Sequence, residues 1–336
     1  MSYRATQLGV CLAVLATLSA PKPVVADTPE IIDMHLHAQP VSDYGPTGKH
    51  FCMEMLAEVP PYDPADGPWT QLWMDFQLDP GCSDPIPQSE SDDELMRQTH
   101  TQMVEADAVG MISGPPEVVA KWMAFDADRF IAGRQFNLVR EADVSPDDLA
   151  TAFRAGKFTV LGEVTNQYHG IAPDADAMAP YWATCEELDI PVGIHMGTMP
   201  PGAAFFGGTA RVSIGDPRHI EEILAKHPKL RVYVMHAGMP YQESMIALMQ
   251  AYPGLYVDTG VLQAVLTEEA YATMMRRFVD AGVIQRVMFG SDQMVWPGMI
   301  GRSIDVVRNC PTLTDEQKQM VLHDNAARFL RLDTGK

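Results

Sequence analysis

Short apolar segments alternate with amphipathic helical patterns eight times along the chain. The apolar segments, which are typical of buried parallel strands, lie at 31–37, 108–113, 130–136, 159–165, 191–196, 231–236, 255–259 and 286–291. Helical patterns occur at 93–107, 116–125, 146–155, 180–189, 217–227, 241–251, 267–281, 298–309 and 314–330. Eight such units predict an α/β fold, a (β/α)8 TIM barrel rather than a doubly wound sheet.

The first 26 residues do not fit this alternation. Arg4 precedes a mostly apolar run over 8–20, and Val24-Val25-Ala26 offers small residues for cleavage, as in a secretory signal peptide. The apolar run is shorter than the roughly 20 residues that cross a bilayer. We therefore expect 1–26 to be a signal peptide and 27–336 to be the barrel of a periplasmic or secreted protein. No stable membrane anchor would remain after cleavage, and a retained anchor is the alternative.

The composition is strongly acidic, with 44 Asp and Glu against 24 Lys and Arg, a formal charge of −20. Loss of residues 1–26 would remove Arg4 and Lys22 and no acidic residue, leaving 22 basic against 44 acidic side chains, or −22. Nucleic acids and anionic membrane surfaces are poor partners for such a chain. We expect a small-molecule substrate, and the acidity by itself indicates only solubility.

Residues 38–92 separate the first strand from its helix and are much longer than an ordinary connection of a few residues. This irregular segment carries Trp69, Leu72, Trp73 and Phe76. We expect it to form a lid-like insertion that packs over the barrel mouth and excludes water. A contact between copies in a homo-oligomer is the alternative.

Four cysteines follow the predicted signal peptide. Cys52 and Cys82 lie in the same irregular segment, where a disulfide would stabilise the fold by roughly 3 kcal/mol. The sequence leaves this pairing open. Cys185 and Cys310 fall in helical patterns and are expected to pack as small hydrophobic side chains.

Potential metal ligands recur where the predicted strands end. Two histidines separated by one residue close the first strand, so their imidazoles lie on the same face. The residues are His35 and His37 on strand one, Glu163 on strand four, His195 on strand five, His236 on strand six and Asp292 after strand eight. Because the carboxyl ends of barrel strands meet at one mouth, we expect all six side chains to form a single site.

Further motifs accompany these residues: 227–230 (HPKL), 236–238 (HAG), 252–258 (YPGLYVD), 289–292 (FGSD) and 324–330 (DNAARFL). With them, the sequence resembles the metal-dependent amidohydrolase superfamily over nearly the whole mature chain. The resemblance is to its amidohydrolase-related branch, which includes aminocarboxymuconate semialdehyde decarboxylase and pyrone dicarboxylate lactonase.

The resemblance implies that His35, His37 and His195 are metal ligands. It also implies that Asp292 both contacts the metal and acts as the general base that takes a proton from water. Imidazole and carboxylate donors suit Zn²⁺, which we expect, although manganese, iron and cobalt accept the same donors.

Glu163 and His236 leave the number of cations open. In mononuclear relatives the histidine matching His236 is an acid/base catalyst or polarises the substrate. In binuclear relatives that histidine binds a second metal, and a carboxylated lysine or a glutamate on strand four bridges the pair. We favour one tightly held cation with His236 as a catalytic group. The alternatives are two cations bridged by Glu163, or a Glu163 that orients a neighbour or is satisfied by backbone donors.

Five side chains are candidates for substrate contacts. They are Arg134 near the end of strand three, Tyr168 and His169 just past strand four, Arg211 after strand five and Trp296 after Asp292. The arginines could clamp a carboxylate, and the indole could pack on a substrate ring. Each has a structural alternative, an ion pair for an arginine or an ordinary loop position for the others.

These features predict an exported metal-dependent hydrolase that uses activated water on an amide, ester or lactone bond of a small molecule. A metal-dependent non-oxidative decarboxylase of an unsaturated or aromatic acid is the alternative, because one fold hosts many reactions. A noncatalytic binding protein is less favoured, since none of the expected ligands or bases is missing from the sequence.

Overall fold

The computed structural model describes residues 29–207 and 209–332; the predicted signal peptide over 1–26 lies outside them. Eight parallel strands neighbour one another in chain order. They are β1 Ile31–His37, β2 Ala108–Ser113, β3 Phe130–Phe136, β4 Val160–Val164, β5 Val192–His195, β6 Val232–Met235, β7 Tyr256–Asp258 and β8 Val287–Met288. With helices between successive strands, this arrangement confirms the predicted (β/α)8 TIM barrel.

β8 meets β1 through isolated hydrogen bonds. The Met34 amide donates to the Phe289 carbonyl over 2.9 Å. The buried Asp33 carboxylate accepts from the amides of His35 (2.9 Å) and Ser291 (3.0 Å), so it holds the two edges together. β8 is shorter than predicted because the Phe289 amide donates to Val321, in the C-terminal segment, over 2.8 Å.

The barrel interior is filled by alternate residues of the strands, as their period of two requires. The interior side chains include Ile32, Met34, Val109, Met111, Ile131, Val160, Tyr233, Met235 and Met288. Tyr233 needs a glycine on the neighbouring strand, since a Cβ at Gly193 would lie 2.4 Å from the tyrosine hydroxyl. Ala326, Phe329 and Leu330 join this interior cluster. Arg231, just before β6, donates to the Phe329 carbonyl, so the C-terminal helix covers the amino-terminal end of the barrel.

The helices surround the strands and bury one face against them. The longer ones are α3 Asp92–Glu105, α4 Pro116–Phe125, α5 Pro146–Arg154, α6 Ala179–Glu187, α7 His219–Lys226, α8 Gln242–Ala251, α10 Glu268–Asp280 and α11 Met299–Asn309. Their bounds agree with the predicted ones to within two residues. Capping boxes at Ser145 and Thr314 begin α5 and the short helix Asp315–Gln319, respectively. They satisfy backbone amides that have no partner within the helix.

The remaining α-helices of the described chain, which apart from α2 have at most six residues, are α1 Met55–Glu58, α2 Trp69–Leu78, α9 Leu262–Val265, α12 Asp315–Gln319 and α13 Asn325–Leu330. A π-helical turn over Met320–Asp324 separates α12 from α13, where the sequence predicted one continuous helix. In the described part of the chain, no helix combines the length and apolarity that a membrane span requires.

The insertion, residues 38–92, is more ordered than its predicted irregular character. It contains α1 and α2, a two-stranded ladder between His50–Phe51 and Ile86–Pro87, and a disulfide between Cys52 and Cys82. The apolar side chains of α2 repeat at spacings of three and four residues, which is a helical signal. They are Trp69, Leu72, Trp73 and Phe76. The Trp69 indole donates to the Pro201 carbonyl over 3.1 Å, so α2 docks on the loop after β5.

Candidate metal centre

The six predicted ligands converge at the carboxyl ends of the barrel strands, and each is at most 8% exposed. His236 and Asp292 reach the centre through unusual backbone conformations, with φ of 56° and 54°. By strand alternation His236 would follow the inward-facing Met235 and point outward. The left-handed turn reverses this direction at the cost of backbone strain, which is typical of functional sites.

Glu163 lies between two groups of imidazoles. Its Oε2 is 3.7 Å from His37 Nε2 and 3.9 Å from His35 Nε2. Its Oε1 is 3.9 Å from His236 Nε2 and 4.0 Å from His195 Nε2. One carboxylate therefore presents a separate oxygen to each pair of histidines.

Asp292 belongs to the group around the His-x-His pair. Its Oδ1 is 2.8 Å from His37 Nε2 and 3.8 Å from His35 Nε2. Potential ligand atoms of His35, His37 and Asp292 lie within 4.8 Å of one another, as do those of Glu163, His195 and His236. The centre therefore consists of two adjacent donor sets.

The orientation of three imidazoles is fixed through their Nδ1 atoms. Nδ1 of His35 is 3.1 Å from Asp258 Oδ2, that of His195 is 2.8 Å from Gln167 Oε1, and that of His236 is 3.0 Å from the Gly260 carbonyl. Each Nδ1–H donates to its oxygen, so in the neutral ring Nε2 carries the lone pair and is directed towards Glu163. His35 Nε2 is buried and has no hydrogen-bond partner among the described residues. Outer partners of this kind are typical of metal-binding histidines.

The electrostatics of the centre favour added positive charge. Burial lowers the pKa of His35, but the carboxylates of Asp292 and Asp258 outweigh this effect and hold it well above its usual value. Burial raises the pKa of Glu163, but the imidazoles of His236 and His35 that face its two oxygens outweigh burial and keep the pKa well below its usual value. Ionised carboxylates around oriented imidazoles are a suitable donor set for divalent cations.

Tyr168 lies beside this centre, and His169 follows it in the same turn after β4. The Tyr168 hydroxyl is 3.1 Å from His195 Nε2. His169 is tethered through Nδ1 to Asn137 Nδ2 over 3.0 Å, and burial followed by the charge of Arg140 lowers its pKa. Both side chains are partly accessible, so they can meet a molecule that enters the mouth.

Trp296 is only 3% exposed. Its indole packs against the rings of Phe51, at 5.4 Å between centroids, and Tyr44, at 6.5 Å. The Tyr44 ring in turn meets the His37 ring at 6.4 Å. Trp296 therefore supports the wall of the mouth, while Tyr44, from the insertion, is partly accessible beside His37.

The two arginines predicted as carboxylate clamps make local contacts in the structure. Arg134 follows the outward-facing alternation of β3, opposite to Ile131, and its guanidinium pairs with Glu141 over 2.6 Å. Arg211 is exposed and donates to the Ala210 carbonyl over 2.7 Å. Neither guanidinium contacts a residue of the metal centre, because strand alternation directs the first to the helix layer and a local loop contact holds the second.

Several functional residues were missed in the sequence. Asp258 ends β7 on the inward side, next to His35, and Gln167 holds His195. The Gln293 side chain exchanges two hydrogen bonds with the backbone of His37, at 3.0 and 2.9 Å. Of these residues, only Asp258 could have been identified from the sequence, because it is a carboxylate near the end of a predicted strand. The positions of Gln167 and Gln293 in loops indicate no particular contact.

Comparison with known proteins agrees with this geometry. A family model described as Amidohydrolase matches residues 32–332. Among curated proteins, Protein fluG of Emericella nidulans is 22% identical over 82 residues, which are 24% of this chain. The match spans only 10% of the length of that relative.

Solved structures share the fold over nearly their whole length. An uncharacterised TIM-barrel protein from Bordetella bronchiseptica is 18% identical, with a TM-score of 0.61 over 90% of this chain and 98% of its own. A 5-carboxyvanillate decarboxylase from Novosphingobium aromaticivorans, complexed with manganese, is 14% identical, with a TM-score of 0.57 and coverages of 94% and 99%. A probable 2-pyrone-4,6-dicarboxylic acid hydrolase from Acinetobacter baumannii is 10% identical, with a TM-score of 0.54 and coverages of 90% and 100%.

Proposed function

The chain belongs to the amidohydrolase family, and on that basis we propose that it is a metal-dependent hydrolase acting on an amide, ester or lactone bond of a small molecule. The observation that carries the proposal is the position of Glu163, whose two carboxylate oxygens face separate pairs of histidines at 3.7–4.0 Å. A carboxylate in this position is suited to bridge two cations, and two-cation centres activate water and polarise a carbonyl group together.

The residues divide into two sets. One cation would be held by His35, His37 and Asp292, and the other by His195 and His236. Glu163 would contact both cations. A divalent cation so held lowers the pKa of water towards about 7 and draws electron density from a carbonyl oxygen. The donors are imidazoles and carboxylates, for which we propose zinc. This assignment replaces the single cation favoured by the sequence and makes His236 a ligand instead of an acid/base catalyst.

Asp292 is the general base of the proposed reaction. Burial raises the pKa of its carboxyl, but the neighbouring imidazoles of His35 and His37 outweigh burial and lower it. The carboxylate is therefore ionised at neutral pH and can accept a proton. Oδ1 faces His37, and Oδ2 lies 3.8 Å from His236 Nδ1. It can thus take a proton from the attacking water and pass it to the leaving group.

Metal content per chain tests this proposal. Protein purified without chelator and without added metal is expected to contain about two equivalents, chiefly zinc, by elemental analysis. Glu163→Gln, which cannot bridge, is expected to retain about one or fewer. Glu141→Gln is the matched control, because Glu141 pairs with Arg134 outside the centre. One equivalent in both the wild type and Glu163→Gln would contradict the bridging role.

A decarboxylase is the second candidate. It is supported by the metal-dependent decarboxylases among proteins of the same fold, including the manganese-bound enzyme from Novosphingobium aromaticivorans. The two reactions differ in their products, since hydrolysis releases a carboxylic acid and decarboxylation releases carbon dioxide. We expect dihydrocoumarin or 4-nitrophenyl acetate to be hydrolysed and 2,6-dihydroxybenzoate to yield no carbon dioxide. Release of carbon dioxide without any hydrolysis would favour the decarboxylase.

We also propose export to the periplasm through residues 1–26. The disulfide between Cys52 and Cys82 supports this, because such bonds persist mainly in oxidising compartments. Expression of the full chain in a Gram-negative host, followed by fractionation and N-terminal sequencing, tests it. The expected product is periplasmic and begins at Asp27. A cytoplasmic protein that keeps Met1 to Ala26 would contradict the proposal.

A further inference from the structure

We propose that Tyr168 is a catalytic hydrogen-bond donor whose hydroxyl is released for the substrate when His195 becomes a metal ligand. In this arrangement the O–H group donates to the substrate oxygen on which negative charge develops. The inference rests on the proposed hydrolytic function and adds a donor that belongs to the protein itself. It follows from the hydrogen bonds around His195.

The direction of these hydrogen bonds can be deduced from Gln167. Its side-chain Nε2 donates to the Gly197 carbonyl over 2.7 Å, which turns Oε1 towards His195. His195 Nδ1 lies 2.8 Å from that oxygen and therefore carries the ring hydrogen. His195 Nε2 is left with a lone pair, so in its 3.1 Å contact with Tyr168 the phenol is the donor.

The acceptor that Tyr168 uses is the same lone pair that a cation requires. Once His195 Nε2 is a ligand, the Tyr168 O–H loses its partner but stays next to the centre, since its ring packs at 4.7 Å from the imidazole. A buried donor without a partner is costly. A substrate oxygen in the mouth would restore the hydrogen bond.

Tyr168 is suited to donate because its hydroxyl is already the donor in the 3.1 Å contact with His195 Nε2. A neutral donor aimed at developing negative charge contributes more in the transition state than in the ground state. The phenol would therefore act mainly on kcat.

Tyr44 provides a matched comparison within the same mouth. Its hydroxyl donates to Gln39 Oε1 over 3.0 Å, and the Gln39 amide donates to Gln135 Oε1 over 2.8 Å. This acceptor is an amide oxygen that no metal ligand shares. Cation binding should leave the Tyr44 hydrogen bond intact, in contrast to that of Tyr168.

The first test follows tyrosine absorbance during cation binding and does not require turnover. The full chain is stripped with chelator and titrated with Zn²⁺ while its ultraviolet difference spectrum is recorded. We expect a tyrosine signal in the wild type and in Tyr44→Phe, and none in Tyr168→Phe. Tyr168→Phe should also bind Zn²⁺ about three- to tenfold more tightly, because binding no longer breaks a hydrogen bond of ordinary strength. A full signal in Tyr168→Phe would overturn the release of the phenol.

The second test uses hydrolysis of dihydrocoumarin by the zinc-loaded protein. Tyr168→Phe is expected to lower kcat about 100-fold, within the range for loss of one oxyanion donor, with little change in KM. Unchanged kcat alongside a lost tyrosine signal would overturn the donor role. If neither dihydrocoumarin nor 4-nitrophenyl acetate is hydrolysed but the tyrosine signal appears, the proposed hydrolytic function fails while the release of Tyr168 stands.

Discussion

Asp258 illustrates how one buried side chain prepares the metal centre at the residue scale. Its Oδ1 accepts hydrogen bonds from the amides of His236 (3.0 Å) and Gly260 (2.9 Å), and its Oδ2 faces His35 Nδ1 at 3.1 Å. A single carboxylate therefore fixes the backbone at the end of β6 and the tautomer of a ligand on β1. Its contribution to the site is indirect, through the orientation of His35.

Asp258→Asn tests this positioning role. The amide has only one oxygen, so it cannot accept both from the two backbone amides and from His35. We expect cation affinity to fall about 10- to 100-fold, the usual effect of losing an outer partner of a ligand, as measured by competition with a chelating dye. Asp128→Asn, at an exposed position before β3, should bind as the wild type does. Equal cation affinity in the two variants would show that Asp258 does not position His35 for cation binding.

At the scale of elements, a close contact holds α2 of the insertion against the barrel. The Trp69 indole in α2 lies against the loop after β5 and donates to Pro201. Gly202 has a φ of 72°, and a Cβ there would lie 1.7 Å from Trp69 Nε1. The glycine is therefore required both by the backbone conformation and by the approach of the indole.

Gly202→Ala is expected to detach α2 from this loop. Gly207 is the matched control, since its φ is 83° but nothing lies within 4 Å of an added Cβ. Both variants incur a similar backbone penalty of about 1–2 kcal/mol, and only Gly202→Ala displaces Trp69. We expect limited proteolysis of the insertion to be at least about tenfold faster in Gly202→Ala, because local opening becomes easier. Similar cleavage of both variants would show that backbone strain alone is responsible.

At the scale of the whole molecule, the centre connects strands that are distant in the chain. Its proposed ligands come from β1, β4 and β5 and from the turns after β6 and β8. A cation bound by them would oppose unfolding, because the unfolded chain does not present these donors together.

Removal of the cations should therefore lower the melting temperature. At a free cation concentration 100 times the Kd, binding adds about 2.7 kcal/mol, which corresponds to a shift of about 5 °C for a chain of this size. Differential scanning calorimetry with and without chelator measures it. His100→Ala, whose imidazole pairs with Asp126 outside the centre, should show the wild-type shift, and Glu163→Gln a smaller one. The same shift in Glu163→Gln would indicate that the chelator acts elsewhere.

The sequence predicted most of the fold and the members of the site, but not the directions of individual side chains. The bounds of the longer helices follow from local periodicity and were close to those observed. The sequence left Arg134 open between a substrate clamp and an ion pair, because its orientation depends on which face of β3 lines the barrel. α2 was missed because the insertion was interpreted from its length instead of its helical spacing.

The sequence by itself determined where along the chain the proposed ligands lie, because strand ends and histidine spacing are local properties. The tertiary structure decided that Glu163 stands between two pairs of imidazoles, that Asp258, Gln167 and Gly260 fix their Nδ1 atoms, and that Tyr168 reaches His195. These relations join strands far apart in the sequence. They arise only when barrel closure and left-handed turns at His236 and Asp292 bring those strands to one mouth.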